Sequence, residues 1–244
     1  MSVEKPFTAI KYLLQGNIII MIDNDPFVLI LSTTINDYFI SEEELNNSKA
    51  WSNLIYNGEQ EYFSACTIKI PWMLYLCKGI DEGKYSKDDV LTYQEKHYHG
   101  GSGKIRYNAY GSTYTVEELI TLCLSISDNV AYEMLVQYVD RNDFYAYIDT
   151  LECDSLHVPS WSIWSSNSVV RDYNRIWQVV YEYFATDTTG AKILKNACTN
   201  TKFAYGVRTL KGEDYSHKSG DNFGANCACN DAGIVWAEKP YVYA

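Results

Sequence analysis

Residues 114–135 read YTVEELITLCLSISDNVAYEML. Apolar side chains return at helical spacing on both sides of a polar break. That pattern predicts one helix through VEELITLCLSI, a stop at Ser127-Asp128-Asn129, and a second helix through VAYEMLVQYV. Thr115 starts the first helix, and Glu118, three residues on, completes a capping box. The break is good turn chemistry, since Ser, Asp and Asn all bond back to nearby backbone. Ser127 and Asn129 therefore have an ordinary reading as helix caps. Only their company elsewhere in the chain suggests another.

Toward the N-terminus, residues 62–72 read YFSACTIKIPW and carry Ser64, Cys66 and Thr67 just ahead of Lys69. The run IKIPWMLYLCKGI is apolar with helical spacing, with Gly79 near its end as a stop signal, so the stretch is expected to open a helix. Residues three or four apart on a helix face each other; residues one or two apart do not. Cys66, three before Lys69, shares its face, while Thr67 and Ser64, two and five before, point elsewhere. The side chain facing the lysine is a thiol. In isolation, Cys-x-x-Lys reads as a small buried residue beside a surface charge. Toward the C-terminus, Lys218-Ser219-Gly220 falls in an expected late strand.

Strands are expected at both ends of the chain. NIIIMI and FVLILSTTI lie within 17–40, broken by a turn at DNDP, and WSNLIYNGEQEYF follows with Asn57-Gly58 as its turn. After residue 200 come FAYGVRTLKG, YSHKSG and NDAGIVWAEKPYVYA; from 66 to about 200 the pattern is mostly helical and includes RDYNRIWQVVYEYF. The expected fold is α+β in one domain over 1–244. An antiparallel sheet built from N- and C-terminal strands and flanked by helices forms a lobe of about 1–65 plus 202–244. A helical lobe of about 66–201 is inserted into it.

The 244 residues suffice for one large domain or two small lobes, and 47% apolar with 21% charged residues is ordinary for a globular protein. A net charge of −11 argues against nucleic acid and anionic membrane surfaces as partners. The opening MSVEKPFTAIKYLLQGNIIIMIDNDPFVLIL is interrupted by Asp23, Asn24, Asp25 and Pro26 and does not read as a secretory signal. No apolar run reaches membrane-spanning length. The expectation is a cytosolic chain or one whose export segment has been removed. The absence of heptads leaves a monomer as the default.

The seven cysteines are an odd count without a disulfide framework, and Cys77 and Cys123 sit in apolar helical patterns as core residues. Cys227 and Cys229 alternate in an expected strand and, with HYH at 97–99, raise the question of a metal site. No C-x-x-C or matching His pair completes a tetrahedral set, so no metal is expected. GGSGK at 100–104 lacks the glycine five before Gly103 and the Ser or Thr after Lys104 that a phosphate loop needs. It is not a G-x-S-x-G elbow either.

Cys66-Thr67-Ile68-Lys69, Ser127-Asp128-Asn129 and Lys218-Ser219-Gly220 follow one another in a β–α–β layout. Each is weak alone. Together they resemble the serine β-lactamase and penicillin-binding protein superfamily, whose signature is S-x-x-K, then S-D-N, then K-T-G or a close variant. TIKIPWMLYL, GGSGKI, YTVEELITLCLSISDNVAYEML and NDAGIVW are similar to class A β-lactamase-type domains, and the resemblance covers about residues 55–240.

The resemblance implies an acyl-transfer hydrolase acting on β-lactams or D-alanyl cell-wall peptides through a covalent acyl-enzyme. It implies no cofactor and an extracytoplasmic location. By resemblance, Cys66 attacks the carbonyl and Lys69 accepts or stabilises the proton. Ser127 relays a proton to the leaving nitrogen, and Asn129 holds the substrate amide. Lys218 binds the substrate carboxylate and supports Ser127, with Ser219 beside it. The oxyanion lies between the backbone N–H groups of Cys66 and Asp221, just past Gly220, each such donor being worth about 3 kcal/mol. The alternative is a non-catalytic binder or sensor of the same ligands.

The chain departs from that pattern twice. Cys66 stands where the family has serine. The E-x-x-L-N glutamate of class A β-lactamases, which activates the deacylating water, is not evident. Residues 151–170 read LECDSLHVPSWSIWSSNSVV, with Glu152 and Asp154 as the nearest carboxylates. Ordinary pKa values are about 8.5 for cysteine and 10.4 for lysine, and a helix N-terminus and an ammonium both favour thiolate. The pair is expected to rest as thiolate and ammonium, to acylate without a base, and to deacylate slowly. Natural thiol chemistry, a domain that binds without turning over, and a substitution that traps an acyl-enzyme are all compatible with the cysteine.

Overall fold

The computed structural model describes residues 61–153, 155, 156, 158, 163, 164, 167–205, 214–222, 228–237 and 240–244, together with the backbone of two short strands at 27–29 and 52–54. Strands β1 (Phe27–Leu29) and β2 (Ser52–Leu54) join β7 (Asp214–Asn222), β8 (Ala228–Trp236) and β9 (Tyr241–Tyr243) in a five-stranded sheet of order β2-β1-β9-β8-β7. Both ends of the chain thus contribute, as expected. The pairings β7–β8 and β8–β9 are antiparallel, but β1 runs parallel to β9 and β2 parallel to β1. The wholly antiparallel sheet is corrected on that point. Antiparallel neighbours can be joined by a tight turn, whereas parallel ones need a long connection. β1 and β9 are separated by most of the chain.

β3 (Glu61–Phe63) pairs with β6 (Asn167–Val169) in a separate ribbon, and β4 (Val90–Thr92) pairs with β5 (Thr113–Thr115) in another. Within WSNLIYNGEQEYF, the two described strands do not pair with each other. β2 and β3 belong to different sheets, and the Asn57-Gly58 turn lies outside the described residues. So do NIIIMI and most of FAYGVRTLKG.

Six α-helices are described: α1 (Lys69–Asp81), α2 (Val116–Ser125), α3 (Asn129–Tyr138), α4 (Arg141–Asp149), α5 (Val170–Phe184) and α6 (Thr189–Thr199). α1 is buried on nearly every face, from Lys69 through Cys77, as a helix apolar all round should be. Pro71 is tolerated because it falls in the first turn, where backbone N–H groups have no intrahelical partner. Gly79 does not end this helix. Its missing Cβ makes room for the Tyr85 ring, which a side chain there would meet at 2.5 Å. The chain reverses at Gly83, with φ +72°.

On α2, Val116, Leu119, Ile120, Cys123 and Leu124 are buried at helical spacing. The capping box forms: Glu118 N donates to Thr115 Oγ1 (3.1 Å) and Thr115 N to Glu118 Oε2 (2.8 Å). One buried apolar cluster runs from these helices into Ala232, Ile234 and Val242 of the sheet. α5 packs on β8 and β9, and α6 packs on β7 as well as on α1 and α2. Among the described residues no helix is long and apolar enough to cross a membrane.

Candidate active site

Cys66 sits in a single 3-10 turn, Ala65–Ile68, that leads into α1; Lys69 is the first α-helical residue. The i to i+3 relation still points both side chains the same way. Thr67 and Ser64 turn away: Thr67 Oγ1 donates to Ser64 O (2.5 Å), and both residues are buried. Ala65, just before the thiol, has φ +47°. A non-glycine residue in that region costs on the order of 1–3 kcal/mol, a strain typical of functional sites.

Lys69 is fully buried, and its ammonium has three hydrogen-bond acceptors: Ser127 O (2.8 Å), Ser127 Oγ (3.1 Å) and Asn129 Oδ1 (2.7 Å). A lysine ammonium carries three donors, which these oxygens share with the Cys66 sulfur. Ser127 reaches it from a left-handed backbone, φ +55°, in the turn between α2 and α3. Burial pushes the Cys66 thiol up, but the Lys69 and Lys218 ammonium groups, with hydrogen bonds from the Ser127 and Lys69 side chains, bring its pKa below the ordinary value. A thiolate beside fixed cations is the reactive form of cysteine.

β7 supplies the other wall. Lys218 is buried, and its ammonium donates to Ser219 O. Burial pulls its pKa down, with Lys69 adding to the effect, while Cys66 and Asp231 oppose it. Gly220 lies against the nucleophile turn so closely that a Cβ there would meet Cys66 N at 2.6 Å and Thr67 N at 2.8 Å. The Ser219 hydroxyl donates to Phe203 O (2.9 Å), and Asp221 Oδ1 accepts from Tyr205 Oη (2.7 Å). Cys66, Lys69 and Ser127 are thus in side-chain contact, with Lys218 acting on them by charge. The side chains of Ser219 and Asp221 are engaged by residues 203–205 instead.

Several residues that build this site were not singled out from sequence. Asp128, fully buried, accepts four backbone N–H groups: Val130 and Ala131 of α3 (both 3.0 Å), and Lys104 (2.6 Å) and Ile105 (3.0 Å) of the glycine-rich loop. Asn129 N donates to Ser102 O (3.1 Å) and Asn129 Nδ2 to Gly100 O (2.7 Å). GGSGK is therefore the cradle of the Ser-Asp-Asn turn. Gly103, at φ +106°, leaves the space that Asp128 occupies. Asn230 of β8 donates to Phe63 O (2.9 Å) and Ser64 O (3.1 Å), pinning the approach to Cys66. His217 of β7 pairs with Asp231 of β8 (2.7 Å), both side chains buried. NDAGIVW was read as a family flank, but the role of its Asn and Asp needed the sheet register.

Glu152 is an exposed side chain paired with Arg175 (3.0 Å), and Asp154 lies outside the described residues. His97 Nδ1 accepts from Gln94 N (3.1 Å), and His99 stacks on Trp164. Among the described residues no three His, Cys, Asp or Glu side chains group to hold a metal ion; Cys227 is not among them.

A family model described as Beta-lactamase enzyme family matches residues 34–244. The chain belongs to this family. Within the wider serine β-lactamase and penicillin-binding protein superfamily, this β-lactamase-family chain is similar to a β-lactamase from Sphaerobacter thermophilus DSM 20745, with 23% identity, a TM-score of 0.65, and 74% of this chain and 71% of that chain covered. It is similar to a mutant of PBP-A described as an acyl-enzyme complex with penicillin G, with 21% identity, a TM-score of 0.69, and 80% and 75% covered. The TLA-1 extended-spectrum β-lactamase matches at 18% identity and a TM-score of 0.63, covering 75% and 73%. At such identities the likeness shows the shared fold. No curated protein matches the chain. Residues 1–56 match a second model, described as Bacillus/Clostridium GerA spore germination protein.

Proposed function

We propose that this β-lactamase-family chain is an acyl-transfer hydrolase that opens β-lactams or D-alanyl cell-wall peptides through an S-acyl intermediate on Cys66. The observation that carries the reading is the buried Lys69 ammonium, fixed by Ser127 and Asn129, beside a thiol whose pKa is lowered. In this reading Lys69 acts as a fixed cation that donates to the Ser127 and Asn129 oxygens and to the Cys66 sulfur. The Cys66 thiolate needs no base. Its sulfur bonds the substrate carbonyl carbon, and the carbonyl oxygen becomes an oxyanion held by the backbone N–H groups of Cys66 and Asp221. The C–N bond then breaks. Ser127, hydrogen-bonded to both Lys69 and Cys66, gives its proton to the leaving nitrogen and takes another from solvent, so that Lys69 stays an ammonium. Lys218 attracts the substrate carboxylate, and Asn129 lies beside Lys69 to hold the substrate amide. The PBP-A relative's description as a penicillin G acyl-enzyme supports covalent capture on this fold.

Turnover is slow in this reading, since deacylation of the thioester lacks a glutamate. Incubation with benzylpenicillin, followed by intact-mass analysis and peptide mapping, should find the opened drug on Cys66. A chromogenic cephalosporin should turn over far more slowly than it acylates. An adduct absent from the native protein but present in Cys66→Ser would end the thiol-acylation reading. Reversible binding with no adduct in either protein would favour the non-catalytic sensor.

A further inference from the structure

A wall of aromatic rings closes one side of Lys69. The Trp164 and Tyr132 rings each lie with centroids 5.6 Å from Lys69 Nζ. They meet edge-on at 4.7 Å, and His99 stacks on Trp164 at 4.1 Å. α3 anchors this wall at two points. Tyr132 Oη donates to Ile163 O (2.7 Å), and Trp164 Nε1 donates to Glu133 Oε1 (2.5 Å). Glu133 lies one helical turn beyond Asn129, and its other oxygen accepts from Gln137 Nε2 (3.4 Å).

We propose that Trp164 is a positioning residue that keeps water from the acylated Cys66, with Glu133 and Tyr132 as its anchors. This rests on the acyl-transfer reading above. In deacylation a water oxygen bonds the thioester carbonyl carbon, the C–S bond breaks, the sulfur returns as thiolate, the acid leaves as carboxylate, and both protons of the water pass to solvent. That water needs space and a proton acceptor near the nucleophile. The Trp164 ring offers neither. An indole has one donor and no acceptor, and here the donor is committed to Glu133. The Lys69 nitrogen is already engaged by the Ser127 and Asn129 oxygens. Among the described residues, the carboxylate bonded to the wall is Glu133, held by two N–H donors, with the indole lying between it and Lys69. The aromatic filling therefore lengthens the life of the acyl state.

The test uses p-nitrophenyl acetate, which acylates a reactive thiolate with loss of p-nitrophenolate and needs no β-lactam recognition. Release of p-nitrophenolate reports acylation, and intact mass after removal of the reagent follows decay of S-acetyl-Cys66. In Trp164→Ala the decay should accelerate about tenfold relative to acylation. That is well under the roughly hundredfold or more that a positioned base supplies. Trp164→Phe should keep the native lifetime, because the ring and not its N–H fills the space. Where Trp164→Ala fails to fold, Glu133→Ala, which leaves the indole but removes its anchor, should shorten the lifetime in the same direction. An unchanged lifetime in a folded variant of either kind overturns the proposal. Absence of S-acetyl-Cys66 from the native protein overturns the acyl-transfer reading itself, and this inference falls with it.

Discussion

Asp128→Ala probes the piece of architecture that holds Ser127 and Asn129 in place. The native carboxylate is fully buried and accepts four backbone N–H groups, two from the first turn of α3 and two from the glycine-rich loop. Removing the helix cap costs about 1 kcal/mol. The two loop donors lose a charged partner, and hydrogen bonds of that kind contribute about 1.5–3 kcal/mol each. Together these give a destabilisation on the order of 4 kcal/mol. For a urea m-value of about 2 kcal/mol/M, the unfolding midpoint should drop by about 2 M. Asp128→Asn keeps the shape but turns an NH₂ toward one pair of N–H donors, so it should recover only part of the loss. Because Gly100 and Ser102 also hold Asn129, and Asn129 holds Lys69, alkylation of Cys66 should slow in the folded Asp128→Ala protein. A midpoint within experimental error of the native value, with unchanged alkylation, would refute the claim that this carboxylate ties loop to helix.

Two further outcomes follow from the site. Cys66 has its folded pKa depressed by Lys69 and Lys218 against burial, so the thiolate persists as pH falls below the ordinary thiol range. The iodoacetamide rate should have its midpoint below that range, and Lys218→Met should move it upward; a native midpoint at or above the ordinary value would contradict this. By the same sign, the thiolate's contribution to stability is present above the unfolded pKa and disappears as pH falls through the folded one. Gly220→Ala places a methyl 2.6 Å from Cys66 N and 2.8 Å from Thr67 N. Since backbone must shift, acylation should fall on the order of a hundredfold, the cost of an ångström-scale misplacement. Stopped-flow release of p-nitrophenolate at the native rate would exclude that clash.

Much of the helical framework is legible in the chain because it depends on neighbours. The Thr115–Glu118 box, the apolar spacing of α2 and α3, and the thiol three residues before Lys69 all act over one helical turn, where backbone geometry dictates which side chains meet. The order of the three short motifs likewise carries the family. Gly79 shows the limit of local reading: a glycine near a helix end resembles a stop signal, yet here it accommodates a ring packed from outside the helix. Strand pairing shows the same limit. Strand partners are chosen by which faces can be buried together, and β2 and β3 find theirs far apart in sequence.

The chain by itself determined the kinds of groups available and their local facing: a thiol beside a lysine, a Ser-Asp-Asn turn between two capped helices, and a strand carrying Lys218 and Gly220. Tertiary structure decided what those groups do to one another. The state of Cys66 is a contest between burial and two ammonium groups, one of them 152 positions away in the numbering from Cys66 to Lys218, and no local rule sets its outcome. The bonds from Lys69 to Ser127 span 58 residues. The role of GGSGK as the cradle of Asp128, the parallel seam of the sheet, and the indole wall over Lys69 likewise arise from packing. Local sequence limits which side chains point together along one helix. Only the burial of whole faces against each other settles which distant backbone amides, rings and charges share a cleft.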